Sequence, residues 1–182
     1  MITDLRHSLL LRAIQRFDIS VFSWVMARPR FNHWATLSKQ ISRSADGFLY
    51  PLLALLFYWH GLGWLAAAMA CAFAIERPLY WIMKNSFKRF RPPDCLPGVQ
   101  SVVVPSDRFS FPSGHTSGAF VSANLFAAAL PELALCGYGW SCAVGWSRVC
   151  LGVHFPTDTL VGGLLGLSCA QLALSYFLPV AL

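Results

Sequence analysis

Residues Phe48–Ile75 read FLYPLLALLFYWHGLGWLAAAMACAFAI, 28 consecutive positions without Asp, Glu, Lys or Arg. A helix that crosses a bilayer needs roughly 20 mostly apolar residues. Gly61-Leu62-Gly63 supplies a tight turn that divides the run into two helices. Two further uncharged runs follow, 23 residues at 109–131 and 24 at 159–182. Over all 182 residues the hydrophobic fraction is 56% and the charged fraction 12%, against ~25% charged in soluble domains. The expectation is an all-α, multi-pass membrane helix bundle forming a single domain over 1–182. It has five spans, or six if another lies within 17–45.

The spans are expected near 48–60, 64–84, 113–131, 133–150 and 156–178, with the proline-rich segment 89–112 as a structured extramembrane loop. Residues 1–46 read as interfacial amphipathic helices. Over 5–17, Leu5, Leu9, Leu10, Ala13, Ile14 and Phe17 recur at helical spacing, with Arg6, Arg12 and Arg16 on other faces. Those arginines also interrupt any signal-peptide core. Residues 19–27 are apolar but too short to span and stop at Arg28-Pro29-Arg30. A second amphipathic stretch sets Trp34, Leu37 and Ile41 against Lys39 and Arg43, and Asp46-Gly47 breaks it. The bundle proper, 47–182, carries the candidate site. Cys71, Cys136, Cys142, Cys150 and Cys169 lie in or beside apolar segments and read as buried thiols; Cys95 lies in the loop, so no disulfide framework is expected.

Charge is concentrated in three clusters. The first is Lys84-Asn-Ser-Phe-Lys88-Arg89-Phe-Arg91-Pro92, which alone suits a basic anchor at a membrane edge. In the second, Phe111-Pro112-Ser113-Gly114-His115-Thr116, Ser113 is a good N-cap. The backbone N–H groups of that first turn favour an anion. The third, Ser147-Arg148-Val-Cys-Leu-Gly-Val-His154-Phe-Pro156-Thr-Asp158, puts His154 and Asp158 four residues apart, where they can meet on one face. With an odd number of spans between them, all three clusters emerge on the same side. Cations and backbone donors around a phosphoryl group stabilise its transfer, and two histidines can divide the roles of nucleophile and general acid. No carboxylate cage or glycine-rich nucleotide loop is present, so neither metal-ion nor ATP chemistry is implied.

Lys84-x6-Arg91-Pro92, Pro112-Ser113-Gly114-His115 and Ser147-Arg148-x5-His154-x3-Asp158 together resemble the three signature motifs of the type 2 phosphatidic acid phosphatase family, complete and in order across 84–158. The resemblance implies that His154 is the nucleophile forming a phosphohistidine, Asp158 its orienting acid and His115 the proton donor to the leaving group. It implies that Lys84, Arg91, Ser113, Gly114 and Arg148 bind phosphate, and that no metal or organic cofactor takes part. The implied substrate is a membrane lipid carrying a phosphate or diphosphate headgroup, reached from the bilayer, with no nucleic-acid partner. Small bacterial proteins similar to this one hydrolyse undecaprenyl diphosphate, and phosphatidylglycerophosphate or phosphatidate are the alternatives. Two other classes share the motifs: a soluble vanadium haloperoxidase, which the apolar runs oppose, and a non-catalytic lipid-phosphate-binding protein, which the complete His115–His154–Asp158 set opposes.

The resemblance also implies a cell-membrane protein with its site facing the exterior. The charge pattern opposes this: Arg6, Arg12, Arg16, Arg28, Arg30, Lys39 and Arg43 lie on the site's side, and the opposite turns carry no Lys or Arg. The exterior placement is the expectation carried forward. Outside the motifs, Lys88 and Arg89 are expected at lipid headgroups, and Asp107 and Arg108 as loop surface charges. Glu76 and Arg77 are expected in an ion pair with another helix, and His7, His33 and His60 as interfacial side chains.

Overall fold

The computed structural model describes residues 9–27 and 31–181, all helices and connecting turns. In chain order these are α1 (Leu9–Met26), α2 (Phe31–Arg43), α3 (Leu49–Trp59), α4 (Gly63–Phe87), the single turn α5 (Pro92–Cys95), α6 (Gly114–Ala129), α7 (Ala134–Cys150) and α8 (Pro156–Ala181). A 3₁₀ turn, Pro131–Leu133, joins α6 to α7. The five expected spans are α3, α4, α6, α7 and α8, each within a few residues of its expected ends. The helix stretches around α4 and α8 are long and apolar enough to cross a membrane by themselves, at mean hydropathies of 1.3 and 1.6. With only 11 residues, α3 is about 16 Å long and stops short of the hydrocarbon thickness.

The N-terminal region differs from its expected division. The helix expected over 5–17 does not stop there: α1 continues unbroken to Met26. Leu5, Arg6, His7, Arg28, Pro29 and Arg30 lie outside the described residues. The acid at Asp18, which looks from sequence like an interruption, is fully buried and paired, as described below. One face of α1 places Phe22 and Val25 against Val149, Cys150 and Phe155 at the α7–α8 connection. The next helix, α2, runs antiparallel to α7: Ser42 meets Arg148, and Ser44 meets Trp140 eight residues earlier in α7. Short residues Ala35, Ser38 and Ser42 face inward, leaving Trp34 and Leu37 exposed.

The bundle closes at two levels. Away from the charged clusters, Phe57, Leu65, Met69, Val121, Leu125, Ala170 and Leu174 form the main apolar core between α3, α4, α6 and α8. Nearer the clusters, α6 and α8 approach until backbone meets backbone. Gly162 and Gly166, four apart on α8, face the carbonyls of Ser113 and Ser117; a Cβ would sit 2.5 Å from the Ser113 oxygen and 2.2 Å from the Ser117 oxygen. Small residues at this spacing let membrane helices pack closely. The contact locks the start of α6 to the start of α8, where Ser113 N–H donates to the Asp158 carbonyl at 3.0 Å.

The cysteine expectation needs correction at two positions. Cys136 and Cys142 are exposed on α7 rather than buried. Leu135 beside them is exposed as well, so this helix turns an apolar face outward, as a lipid-facing helix does.

Candidate active site

His154 sits in the short link between α7 and α8, outside both helices. Gly152 makes the turn possible with φ +75°, and its neighbour Leu151 accepts from Val102 N–H, tying the long loop to the link. Asp158, in the first turn of α8, accepts the Phe155 N–H at 2.8 Å with one oxygen and so fixes the link from behind. The same oxygen is 3.7 Å from His154 Nδ1. At that distance the two atoms are not hydrogen-bonded, and the buried Nδ1 makes no hydrogen bond of its own. Burial pushes the His154 imidazole down to about 4. The Asp158 carboxylate pulls the other way, and Arg148 and Arg91 reinforce the drop. The ring is therefore neutral at neutral pH, with Nε2 free to act as a lone-pair donor when Nδ1 keeps its proton toward Asp158.

The cations converge from three elements. Lys84, in the last turns of α4, donates to Tyr80 Oη at 2.5 Å and to Asp107 Oδ2 at 2.7 Å. Arg91 donates to the Val153 carbonyl at 2.6 Å, and to Asp107 through its carbonyl and Oδ1 at 3.1 and 2.6 Å. Arg148 at the end of α7 donates to Ser42 Oγ at 2.6 Å, while its Nε is buried with no partner. His115, in the first turn of α6, lies 3.1 Å from Asp46 Oδ1 through Nε2. Lys84, Arg91, Gly114, His115, Arg148 and His154 all line one cavity of about 550 Å³.

Two of the expected site residues are not on that wall. Ser113 occupies the N-cap position of α6 with extended backbone, but its hydroxyl makes no cap bond and instead pairs with Thr116 Oγ1 at 2.9 Å. Asp158 is fully buried behind His154. Both serve the site through what they hold in place.

Three readings from sequence are overturned here, and a fourth residue gains a role. Arg89 does not reach for headgroups: its guanidinium spans two buried carboxylates, Asp158 at 2.7 Å and Asp18 at 2.5 Å. Asp18 also accepts from the Thr157 backbone and hydroxyl. This network carries α1 into the site's support, and Lys88 turns the chain toward it with a left-handed φ of 47° at the end of α4. Asp107 is no loop surface charge. Burial would raise its carboxyl, but Lys84 and Arg91 outweigh burial and hold it below the usual carboxylate range. Glu76 and Arg77 pair with each other rather than across helices, and Glu76 alone reaches α6 through Ser117 Oγ at 2.5 Å. Asp46, read only as a break, partners His115. Of these, Asp18 alone carried a local signal, a lone acid between Phe17 and Ile19.

Lys84, Arg91 and Arg148, with Arg77 further along the wall and the His115 and His154 imidazoles beside them, line one cavity, an arrangement with the chemistry to bind a phosphoryl group and present a nitrogen nucleophile to it. Set at the end of a membrane helix bundle, this chemistry defines the class: membrane phosphatases that act on lipid phosphates. A family profile described as PAP2 superfamily matches residues 61–180, and the chain belongs to that family. It is 34% identical over 171 residues to phosphatidylglycerophosphatase B of Bacillus subtilis strain 168, covering 85% of this chain and 80% of that one. It is 31% identical over 175 residues to YbjG of Escherichia coli K12, provisionally named an undecaprenyl-diphosphatase, covering 87% and 83%. The crystal structure of a transmembrane PAP2-type phosphatidylglycerolphosphate phosphatase from B. subtilis superposes with a TM-score of 0.70 at 27% identity, covering 93% of this chain and 87% of that one.

Proposed function

We propose that this lipid phosphatase converts undecaprenyl diphosphate to undecaprenyl phosphate through a phosphohistidine on His154. The observation that carries the reading is the two-ended cavity. Its polar end holds Lys84, Arg91, Arg148, His115 and His154, and its other end is lined by Pro51 and Ala54 of α3 with Met69, Ala70 and Phe73 of α4. A phosphate at the first end places an isoprenoid tail along the second.

His154 Nε2 attacks the terminal phosphorus as the bond to the bridging oxygen breaks, and the electron pair leaves with the lipid monophosphate. Lys84, Arg91 and Arg148 neutralise the equatorial oxygens. His115, with Asp46 Oδ1 3.1 Å from its Nε2, delivers a proton to the leaving oxygen. Asp158 balances the charge that appears on His154. Water then attacks the phosphohistidine, the P–N bond breaks, and His115 takes the water's proton, releasing inorganic phosphate. The second reading, phosphatidylglycerophosphate, draws on the name of the B. subtilis relative. Phosphate release by the detergent-solubilised protein decides between them: kcat/KM is expected to be highest on the polyprenyl diphosphate. No turnover of any polyprenyl diphosphate, with turnover of phosphatidylglycerophosphate, would replace the first reading by the second.

The neutral nucleophile sets a pH dependence. Between about 6.5 and 4 the folded protein binds fewer protons at His154 than the unfolded chain. The nucleophile therefore stays competent as pH falls through 6.5, and stability declines over the same window. Once substrate titration is subtracted, the acidic limb of kcat/KM is expected near pH 4. A limb near 6.5 would show that His154 is not the neutral buried base.

The site is proposed to face the cell exterior. Cys95 is exposed in the loop on the site's side. With the other five cysteines changed to serine, a membrane-impermeant maleimide is expected to label Cys95 in intact cells. Labelling only after lysis reverses the orientation.

A further inference from the structure

The stripe of α4 that faces the cavity runs Ala70, Phe73, Arg77, Tyr80, Lys84, alternate steps of three and four residues that keep one helix face. The order along that face is the order along a bound substrate. Ala70 and Phe73 belong to the tail end and Lys84 to the reacting phosphate. Arg77 stands between them, about 10 Å from Lys84 along the axis. It lies over the same ring as Lys84: the Arg77 Cζ is 4.8 Å and the Lys84 Nζ 4.6 Å from the Tyr80 centroid. The two cationic centres are therefore within 9.4 Å of each other, the sum of those distances.

A membrane helix that carries an arginine at this depth uses it. Glu76 is fully buried and takes two of the guanidinium's N–H groups, with Ser117 completing its shell. The Arg77 side chain nevertheless remains 48% exposed and lines the cavity. Glu76 thus takes Nε and one terminal nitrogen of the fork, and the half-exposed side chain keeps N–H groups that Glu76 does not use.

We infer that Arg77 is a second phosphate-binding residue, which grips the lipid-proximal phosphate of a diphosphate substrate while Lys84, Arg91 and Arg148 hold the terminal one. The inference rests on the proposed His154-centred reaction and gives it a substrate class. In a lipid diphosphate the group next to the reacting phosphorus is a second phosphate, which gains negative charge as the bridging bond breaks. In a simple phosphate ester that group is a neutral CH₂. With phosphorus atoms about 3 Å apart and each cation reaching a phosphate oxygen over about 2.8 Å, Lys84 and Arg77 can hold the two phosphates when both donors approach from the same side rather than in line. Arg77 then stabilises the leaving group as well as binding it, and the enzyme favours a diphosphate.

Farnesyl diphosphate and farnesyl monophosphate share one tail and differ only in the second phosphate, so their kcat/KM ratio isolates it. In the Arg77→Gln protein that ratio is expected to fall at least tenfold from the wild-type value, and Arg77→Lys is expected to retain most of it. Because Arg77→Gln strands the buried Glu76 charge, the Glu76→Gln/Arg77→Gln double variant is measured alongside and is expected to show the same fall. A ratio within twofold of wild type in both variants overturns the inference. Should the wild type turn over no farnesyl diphosphate but still hydrolyse phosphatidylglycerophosphate, the proposed substrate fails while Arg77 is still tested. Inhibition by inorganic diphosphate must then weaken at least tenfold more than inhibition by orthophosphate in Arg77→Gln, and equal weakening overturns it.

Discussion

Changing His154 to Gln lowers kcat by on the order of 10⁴-fold or more, because the group that forms the covalent intermediate is lost rather than weakened. Gln keeps nearly the volume of the imidazole in a site that is 2% exposed, so the thermal midpoint is expected to move little. Substrate affinity is also largely kept, since Lys84, Arg91 and Arg148 are supplied by other elements and remain on the cavity wall. Binding of the lipid by the variant, with turnover gone, is the pattern that separates a nucleophile from a phosphate ligand. Turnover within tenfold of wild type would remove His154 from the centre of the reaction.

Gly166→Ala is the second large effect, and it acts through packing. The added Cβ falls 2.2 Å from the Ser117 carbonyl oxygen and 3.0 Å from its carbon. Backbone cannot rotate away from such a contact, so α6 and α8 must separate. Overpacking costs about 1–3 kcal/mol or more. The kinetic cost is larger, because α6 carries Gly114 and His115 whereas α8 carries Asp158. A displacement of about 1 Å between reacting groups can cost on the order of 10²-fold in rate. The expected result is a lower thermal midpoint in detergent and a kcat reduced at least tenfold. Gly139→Ala is the control: it lies on α7 with nothing within 4 Å of its Cβ and is expected to leave both nearly unchanged. Wild-type kinetics in Gly166→Ala would mean that the α6–α8 contact does not set the site's geometry.

What could be read from the sequence followed from what local pattern encodes. Uncharged runs and the Gly61–Gly63 turn placed the five bundle helices, because helix length against bilayer thickness is a local property. Lys84, Arg91, Gly114, His115, Arg148 and His154 were legible through motif spacing, and they meet at one cavity. The supporting charges were not legible in this way. Asp18 and Arg89 are 71 positions apart and meet only because α1 packs over the α7–α8 link. Without that partner, Asp18 reads as a helix interruption and Arg89 as one more juxtamembrane cation. Asp107 likewise looks like any loop acid until the loop folds back over Lys84 and Arg91. Ser113 shows the reverse: its cap position was legible, but Thr116 takes the hydroxyl, a choice between neighbours that spacing does not decide. Arg77 was expected in an ion pair with another helix, which left it outside the candidate site; its neighbour Glu76 takes that pairing within the same helix, and the guanidinium lies over the ring of Tyr80 that Lys84 also meets.

The support around His154 also accounts for the otherwise unusual density of buried charge at this end of the bundle. Asp18, Arg89 and Asp158 form a continuous carboxylate–guanidinium–carboxylate chain. A buried charge is tolerated only when paired and hydrogen-bonded, and each of these three is. The result is an Asp158 carboxylate whose position is fixed from two sides while its second oxygen stays beside His154.

The most direct test is to trap the intermediate. The protein is mixed with undecaprenyl diphosphate labelled with ³²P in the terminal phosphate and quenched within a turnover in alkali, where a phosphohistidine survives. The expected result is a protein-bound label that is lost on brief acid treatment, is absent from His154→Gln, and maps to His154. Steady turnover with no label on the wild-type protein, or an equal label on His154→Gln, would contradict it.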